Sequence, residues 1–389
     1  MSQPSPELPR PAGPLRVQPA ASLAPQPEPL VPLAQPDAAP PPDLHYDLAA
    51  CRELMRGGSK SFFAASRLLP VRLRAPATAL YAFCRLADDA IDLGADPHAA
   101  MRDLQQRLDA IYTGRPGSVD ADRALAQVVH RYGIPRALLD ALLDGFVWDA
   151  QGRRYDTLED LECYGARVAG TVGAMMALIM GTQDATALAR ACELGVAMQL
   201  TNIARDIGED AKNGRLYIPR AWFRDLGLDA DRWLAAPQFD ERVACFTRRL
   251  LERADVLYQR GEAGISSLPW DCRPAIQAAR LVYAEIGKQL IRDGLNSVNQ
   301  RTVVSKRRKL VLIARATAVV VNPPHSLPRS LAPLPAIAFL VDAVADAHGV
   351  AGAHGSWRVP QRSFDERVEW MVDLFGRLEK QQRVPRQIP

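Results

Sequence analysis

The sequence is short of several things that would define common protein classes. Its six cysteines are so dispersed that no two lie within 20 positions of each other. With no C-x-x-C pair, zinc-ribbon and dithiol redox chemistry are excluded, and the thiols read as reduced and intracellular. There is no G-x-G-x-x-G turn and no Walker loop, which removes the ordinary nucleotide-cofactor folds. Alternating strand runs are missing, as are any βαβ rhythm and any repeat of fixed period. The most apolar stretches, Leu310–Val321 and Leu334–Val344, fall short of the ~18 residues a membrane-spanning helix requires, and Arg315 interrupts the first. No basic start leads into an apolar run, so no secretory signal is expected. In the N-terminal stretch the scarcity of arginine and the acids Glu7, Glu28, Asp37 and Asp43 speak against an organelle transit peptide. His325, His348 and His354 lack metal-ligand spacing.

What is present is a globular composition, 48% hydrophobic and 24% charged over 389 residues. Of 31 prolines, 14 fall in the first 42 residues. Proline fixes φ and removes backbone donors, so residues 1–42 read as a disordered Pro/Ala-rich arm, with a polyproline docking segment as the other reading. From Asp43 onward apolar residues recur at spacings of three and four in segment after segment, among them Ala75–Ile91, Pro135–Asp149, Thr157–Met180, Thr186–Ile207, Arg273–Asp293 and Ser363–Leu378. Gly, Pro, Asp and Asn punctuate the breaks. The expected fold class is all-α, with a helical catalytic domain over 43–320 and a partly helical extension over 321–389.

Two acidic clusters stand out. Asp88 and Asp92 in Asp88-Asp-Ala-Ile-Asp92 are four apart and share a helix face. Asn202, Asp206 and Asp210 run down one face at the same interval. Like charges at that spacing destabilise an isolated helix, and a single such pair is ordinarily a solvated acidic face. Here Tyr81-Ala-Phe-Cys-Arg-Leu-Ala precedes the first cluster and Gly195-Val-Ala-Met-Gln-Leu the second, so both helices are apolar around most of their circumference and therefore buried. Buried carboxylates require cations. Singly presented oxygen ligands suit Mg²⁺, which keeps room for water and phosphate oxygens. Arg85 and Arg205 lie beside the clusters, as guanidiniums do where phosphates bind. The helix Tyr164–Met180 carries Gly165, Ala166, Ala169, Gly170, Gly173 and Ala174. These small residues fit a cavity wall beside a long apolar chain, or close helix packing.

Gly58-Ser59-Lys60-Ser61-Phe62-Phe63, Tyr81 to Arg85, the Asp88–Asp92 cluster, Tyr164 with Val168-Ala-Gly-Thr-Val-Gly173, and Gln199–Pro219 ending in Gly214-Arg-Leu-Tyr-Ile-Pro219 together resemble the head-to-head prenyl diphosphate synthases of the squalene/phytoene synthase family. A later stretch, Ala279 to Tyr283 and on through Arg301 to Lys309, also matches, so the likeness spans about 45–320. It implies a single-domain isoprenoid-synthase helical bundle with a central cavity. Two prenyl diphosphates, geranylgeranyl diphosphate for preference, would be joined 1′–1 through a cyclopropyl diphosphate to give phytoene in carotenoid synthesis. Farnesyl-using squalene, dehydrosqualene or presqualene diphosphate synthases are the alternative. The implied metal ligands are Asp88, Asp92, Asn202, Asp206 and Asp210, holding Mg²⁺ or Mn²⁺, and no NADPH is expected. Ser59, Ser61, Tyr81, Arg85, Gln199, Arg205, Tyr283 and Arg301 would bind the diphosphates, and Phe62 and Tyr164 would face the reacting allyl groups. For Tyr283 a core tyrosine is the competing reading. Leu295 departs from the aromatic residue frequent after the family's glycine.

The net charge of +4 is uneven. From Gly294 to Val341 there are seven basic residues and no acid, leaving the remainder at −3. Lys306–Lys309 can be a solvated face, a diphosphate contact or an anionic-lipid contact. The absence of aromatic platforms and of groove-reading motifs argues against nucleic acid. Long hydrocarbon substrates predict peripheral docking from the cytoplasm at the inner membrane face, with apolar residues 331–341 beside the basic stretch as the contact. Carotenoid-pathway enzymes are the expected protein partners. A non-catalytic helical protein of the same fold is the remaining alternative, and loss of an acidic cluster would have marked it.

Overall fold

The computed structural model describes residues 46–58, 66–93, 96–317 and 331–349. The Pro-rich arm, Ser59, Ser61, Phe62 and the helix expected at Ser363–Leu378 lie outside them. Among the described residues every regular element is helical. In chain order these are α1 (Leu48–Gly58), α2 (Val71–Leu93), α3 (Pro97–Tyr112), α4 (Asp120–Tyr132), α5 (Arg136–Ala150) and α6 (Leu158–Gly165). A π-helical segment (Ala166–Gly170) follows, then α7 (Thr171–Ile179), α8 (Ala185–Lys212), α9 (Arg220–Asp225), α10 (Ala230–Ala235) and α11 (Glu241–Gly264). The chain continues through α12 (Arg273–Arg292), α13 (Lys306–Thr317) and α14 (Ala338–Gly349).

Local chemistry sets the helix starts. Asp96 accepts from the His98 N–H ahead of Pro97, which opens α3 and has no N–H to lose there. Thr157 and Asp160 form a reciprocal capping box at α6. Asp184 caps α8 through the Ala187 N–H, and Asp240 caps α11 through two N–H groups.

α8 is the axis of the bundle. It runs 28 residues and is packed by α11, α7, the π segment, α12 and α14. Its neighbours come unusually close at glycine. A Cβ on Gly195 would strike the Ala169 carbonyl, and one on Gly173 would strike the Ala191 carbonyl. Of the two readings of the small-residue helix, close packing therefore describes the face it turns to α8. The segment expected as one helix is also interrupted, because Ala166–Gly170 takes the wider π-helical turn, a device frequent at functional sites.

One surface expectation is corrected. Leu334, Ile337, Leu340, Val341 and Val344 are buried in the core, while Phe339 stays exposed, so most of the apolar run 331–341 is not a free membrane face. They are held there by buried charge. Glu193 on α8 accepts the Leu334 N–H at 2.9 Å and pairs with Arg260 at 2.6 Å. Arg190 donates to the Leu331 carbonyl at 3.0 Å. Their position in the core follows from α14 covering α5, α7 and α8.

Candidate active site

The two acidic faces end up on different helices of one bundle. α2 packs on α5 and α7, and α8 packs on α7 and the π segment. The acidic ends of α2 and α8 are then linked by the segment after α8. Gly214 takes φ 72°, a left-handed turn that glycine adopts without penalty, and the chain continues without helical structure to Pro219. Leu216 and Ile218 are buried, while Arg215 donates to Asp92 at 2.7 Å and Tyr217 donates to Asp149 at 2.7 Å.

On α2, Arg85 pairs with Asp89 at 2.6 Å and with Asp88 at 3.5 Å. Burial pushes the Asp88 carboxyl up to about 6, with Asp92 adding to the shift and Arg85 opposing it. Tyr81, one turn before Arg85, feels both Arg85 and Tyr283 of α12, and burial raises its hydroxyl. An open cleft of about 620 Å³ runs beside Arg85, lined by Ala50, Glu53, Leu54 and Gly57 of α1.

On α8, Gln199 and Asn202 are half-buried. Asp206 is clamped by two guanidiniums. Arg205 reaches it at 2.8 and 2.5 Å and Arg301 at 2.9 and 3.3 Å. Burial works to raise the Asp206 carboxyl, but these hydrogen bonds outweigh it and hold it below the ordinary carboxylate value. One turn on, burial and Asp206 push Asp210 up to about 7, against the pull of Arg215.

Arg301 arrives by a specific route. Gly294 and Leu295 both take left-handed φ, 80° and 61°, which turns the chain out of α12. The conformation is costly for leucine, and Leu295 is 4% exposed, packed into the core. The chain then lies flat on α8 at Gly208, whose N–H donates to the Ser297 carbonyl at 3.0 Å. A Cβ at Gly208 would collide with the Val298 backbone. Thr302 anchors the far side on Asp293 at 3.0 Å.

The structure therefore brings Tyr81, Arg85, Asp88 and Asp92 of α2 together with Tyr283, and Asp206 and Asp210 of α8 together with Arg205 and Arg301. Tyr164 turns inward. It is 2% exposed and donates to Asp149 at 2.6 Å. Its ring lies 5.2 Å from that of Tyr217 and 5.4 Å from that of Tyr155. Asp149 and Arg215 were not singled out by sequence reasoning. Arg215 lies inside the Gly214–Pro219 motif, and its role shows only in its contact with Asp92, 123 residues away. Asp149 had no local signal.

Comparison with known proteins agrees with this geometry. The squalene/phytoene synthase family model matches residues 55–308. The chain belongs to the squalene/phytoene synthase family. Over 350 residues it is 48% identical to a phytoene synthase of Cereibacter sphaeroides, covering 87% of this chain and 95% of that one. Over 306 residues it is 50% identical to a phytoene synthase of Rhodobacter capsulatus, covering 77% and 90%. A dehydrosqualene synthase crystal structure superposes with TM-score 0.64 at 31% identity, over 70% of this chain and 96% of that chain. The all-α isoprenoid-synthase fold implied by the motifs is the fold observed.

Proposed function

We propose that the chain is a phytoene synthase, a prenyltransferase joining two geranylgeranyl diphosphates head to head by way of a cyclopropyl diphosphate. The observation that carries this reading is the meeting of two aspartate-bearing helix faces with Arg85, Arg205, Arg215 and Arg301 ranged on them, in a chain about half identical to proteins named phytoene synthase. The guanidiniums are placed to receive a leaving diphosphate and to withdraw from the carboxylates as it arrives. The buried helices around them keep water from a carbocation.

The donor set fits a divalent metal. Asp88 and Asp210 are buried carboxylates beside other carboxylates, and Arg85 and Arg215 only partly offset this. Among the described residues no three His, Cys, Asp or Glu groups converge into a ready-made site. Mg²⁺ takes oxygen ligands and completes its shell with water and phosphate. Asp88, Asp92, Asn202, Asp206 and Asp210 would hold it, and when bound it supplies charge to stabilise the departing diphosphate. With Mg²⁺ and geranylgeranyl diphosphate, the purified chain is expected to release a C40 hydrocarbon without NADPH. No product, product only with NADPH, or preferential use of farnesyl diphosphate would overturn the assignment.

We also propose that the enzyme works on an anionic membrane surface. No helix among the described residues is long and apolar enough to cross a membrane, yet the product partitions into one. Val303, Leu310 and Val311 are exposed next to Lys306 and Arg307, a face suited to interfacial contact. Flotation with anionic liposomes should carry the protein up. Equal flotation with neutral ones would remove the electrostatic part.

A further inference from the structure

Asp149 closes the last turn of α5, and both its carboxylate oxygens are occupied. Tyr164 donates to Oδ2 at 2.6 Å and Tyr217 to Oδ1 at 2.7 Å. The two phenol rings stack, and both pack on the buried ring of Tyr155 at 5.4 and 6.2 Å. Three separate chain segments therefore converge on one acid.

For the fold alone this acid is badly placed. Burial raises the Asp149 carboxyl, the two tyrosine hydrogen bonds and Arg215 oppose this, and Asp92 adds to it; Asp149 in turn bears on Asp88 and Asp210. A buried carboxylate costs desolvation, a cost that a neutral amide of the same shape would not carry. What the amide could not do is accept from both tyrosines. An ionised carboxylate is purely an acceptor, whereas asparagine carries two donors. With Asp149 ionised, both phenol hydrogens must point at it, so each phenol oxygen can only accept from its other side. A phenol donating to an anion is also electron-enriched, which strengthens the attraction of its ring for positive charge.

We propose that Asp149 is a positioning residue for the condensation. It orients the hydroxyls of Tyr164 and Tyr217 and fixes their stacked rings as an electron-rich wall between the two acidic faces, set in advance for the cations of the reaction. The inference rests on the prenyl diphosphate reading above, because only a cationic reaction gives such a wall something to stabilise.

The test is steady-state kinetics and product analysis of Asp149→Asn and Tyr217→Phe in the full-length protein with Mg²⁺ and geranylgeranyl diphosphate. Asp149→Asn is expected to lower kcat on the order of tenfold to a hundredfold, the scale of a misaligned catalytic group. KM should stay within about twofold and the melting temperature should not fall, the pattern of an interaction lost in the transition state alone. Part of the turnover should leave as the cyclopropyl diphosphate. Tyr217→Phe should reproduce part of the loss, and the double variant should be little worse than Asp149→Asn, as for residues acting as one unit. Unchanged kcat, or a loss that tracks a lower melting temperature or a raised KM, would overturn the inference. Should Asp149→Asn fail to fold, Tyr217→Phe decides it alone, by the same kcat, KM and product criteria. An inactive parent protein would instead remove the functional reading itself.

Discussion

The two acidic faces share one spacing and differ in electrical state. On α8, Asp206 is met by two guanidiniums, one from its own helix and one delivered across the bundle by the Arg301 loop, and its carboxyl is held low. On α2, Asp88 has Arg85 at 3.5 Å, its carboxyl is pushed up to about 6 by burial and by Asp92, and Asp210 behaves likewise at the far end of α8. Identical motifs are thus not identical sites. Asp206 is compensated by two close guanidiniums, whereas at Asp88 and Asp210 the nearby arginines, Arg85 and Arg215, do not offset burial and the neighbouring carboxylates. Under the proposed reaction, such a division would let Arg205 and Arg301 turn from Asp206 to an incoming diphosphate while a divalent cation was held at Asp88 and Asp210.

The largest expected effect tests whether both faces take part. Asp206→Ala and Asp88→Ala should each lower kcat/KM by at least about 10²-fold, the scale of one lost electrostatic stabiliser. Near-normal activity for the α2 variant would reduce that cluster to a solvated face. Next, Arg301→Ala should erase much of the difference between Asp206 and Asp210. A charge-assisted hydrogen bond on a half-exposed side chain is worth about 1–2 kcal/mol, so kcat/KM should fall by about tenfold, chiefly through KM. A wild-type KM would show that Arg301 serves only the fold.

The smallest effect is with pH. Asp88 and Asp210 titrate at about 6 and about 7 in the metal-free protein, well above an unfolded aspartate. Between those values and the unfolded one, the folded state binds more protons than the unfolded chain, so its stability falls as pH rises through them. Metal-free protein should therefore melt higher at about pH 6 than at about pH 8. Mg²⁺ should stabilise it more at about pH 8, since protons compete for the ligands. Metal-induced shifts of equal size at both pH values would break the comparison between the compensated and the uncompensated acids.

Much of this was legible in the chain. The helical class, the placement of both aspartate pairs on helices and the family motifs are local signals, carried by spacing and by short runs such as Gly214 to Pro219. What escaped was tertiary. Asp149 lies 15 residues from Tyr164 and 68 from Tyr217, and no periodicity links them. The run 331–341 has the apolar spacing of a core helix and of a membrane-facing one alike, and only the buried Glu193 waiting 141 residues upstream settles which. The one hint was Glu193 itself, an acid inside an apolar helix, which needs a partner from somewhere.

That contact bears on how the protein is made. As the chain leaves the ribosome, α8 emerges with Glu193 and Arg190 on a face destined for the interior, and their backbone partners at Leu331 and Leu334 have yet to be synthesised. A product cut short before that point would keep the Glu193 ion pairs to Arg190 and Arg260 but lack the backbone groups that complete them. A chain ending before Leu331 is therefore expected to melt lower than the full-length protein, since α14 would no longer close the bundle over α5, α7 and α8.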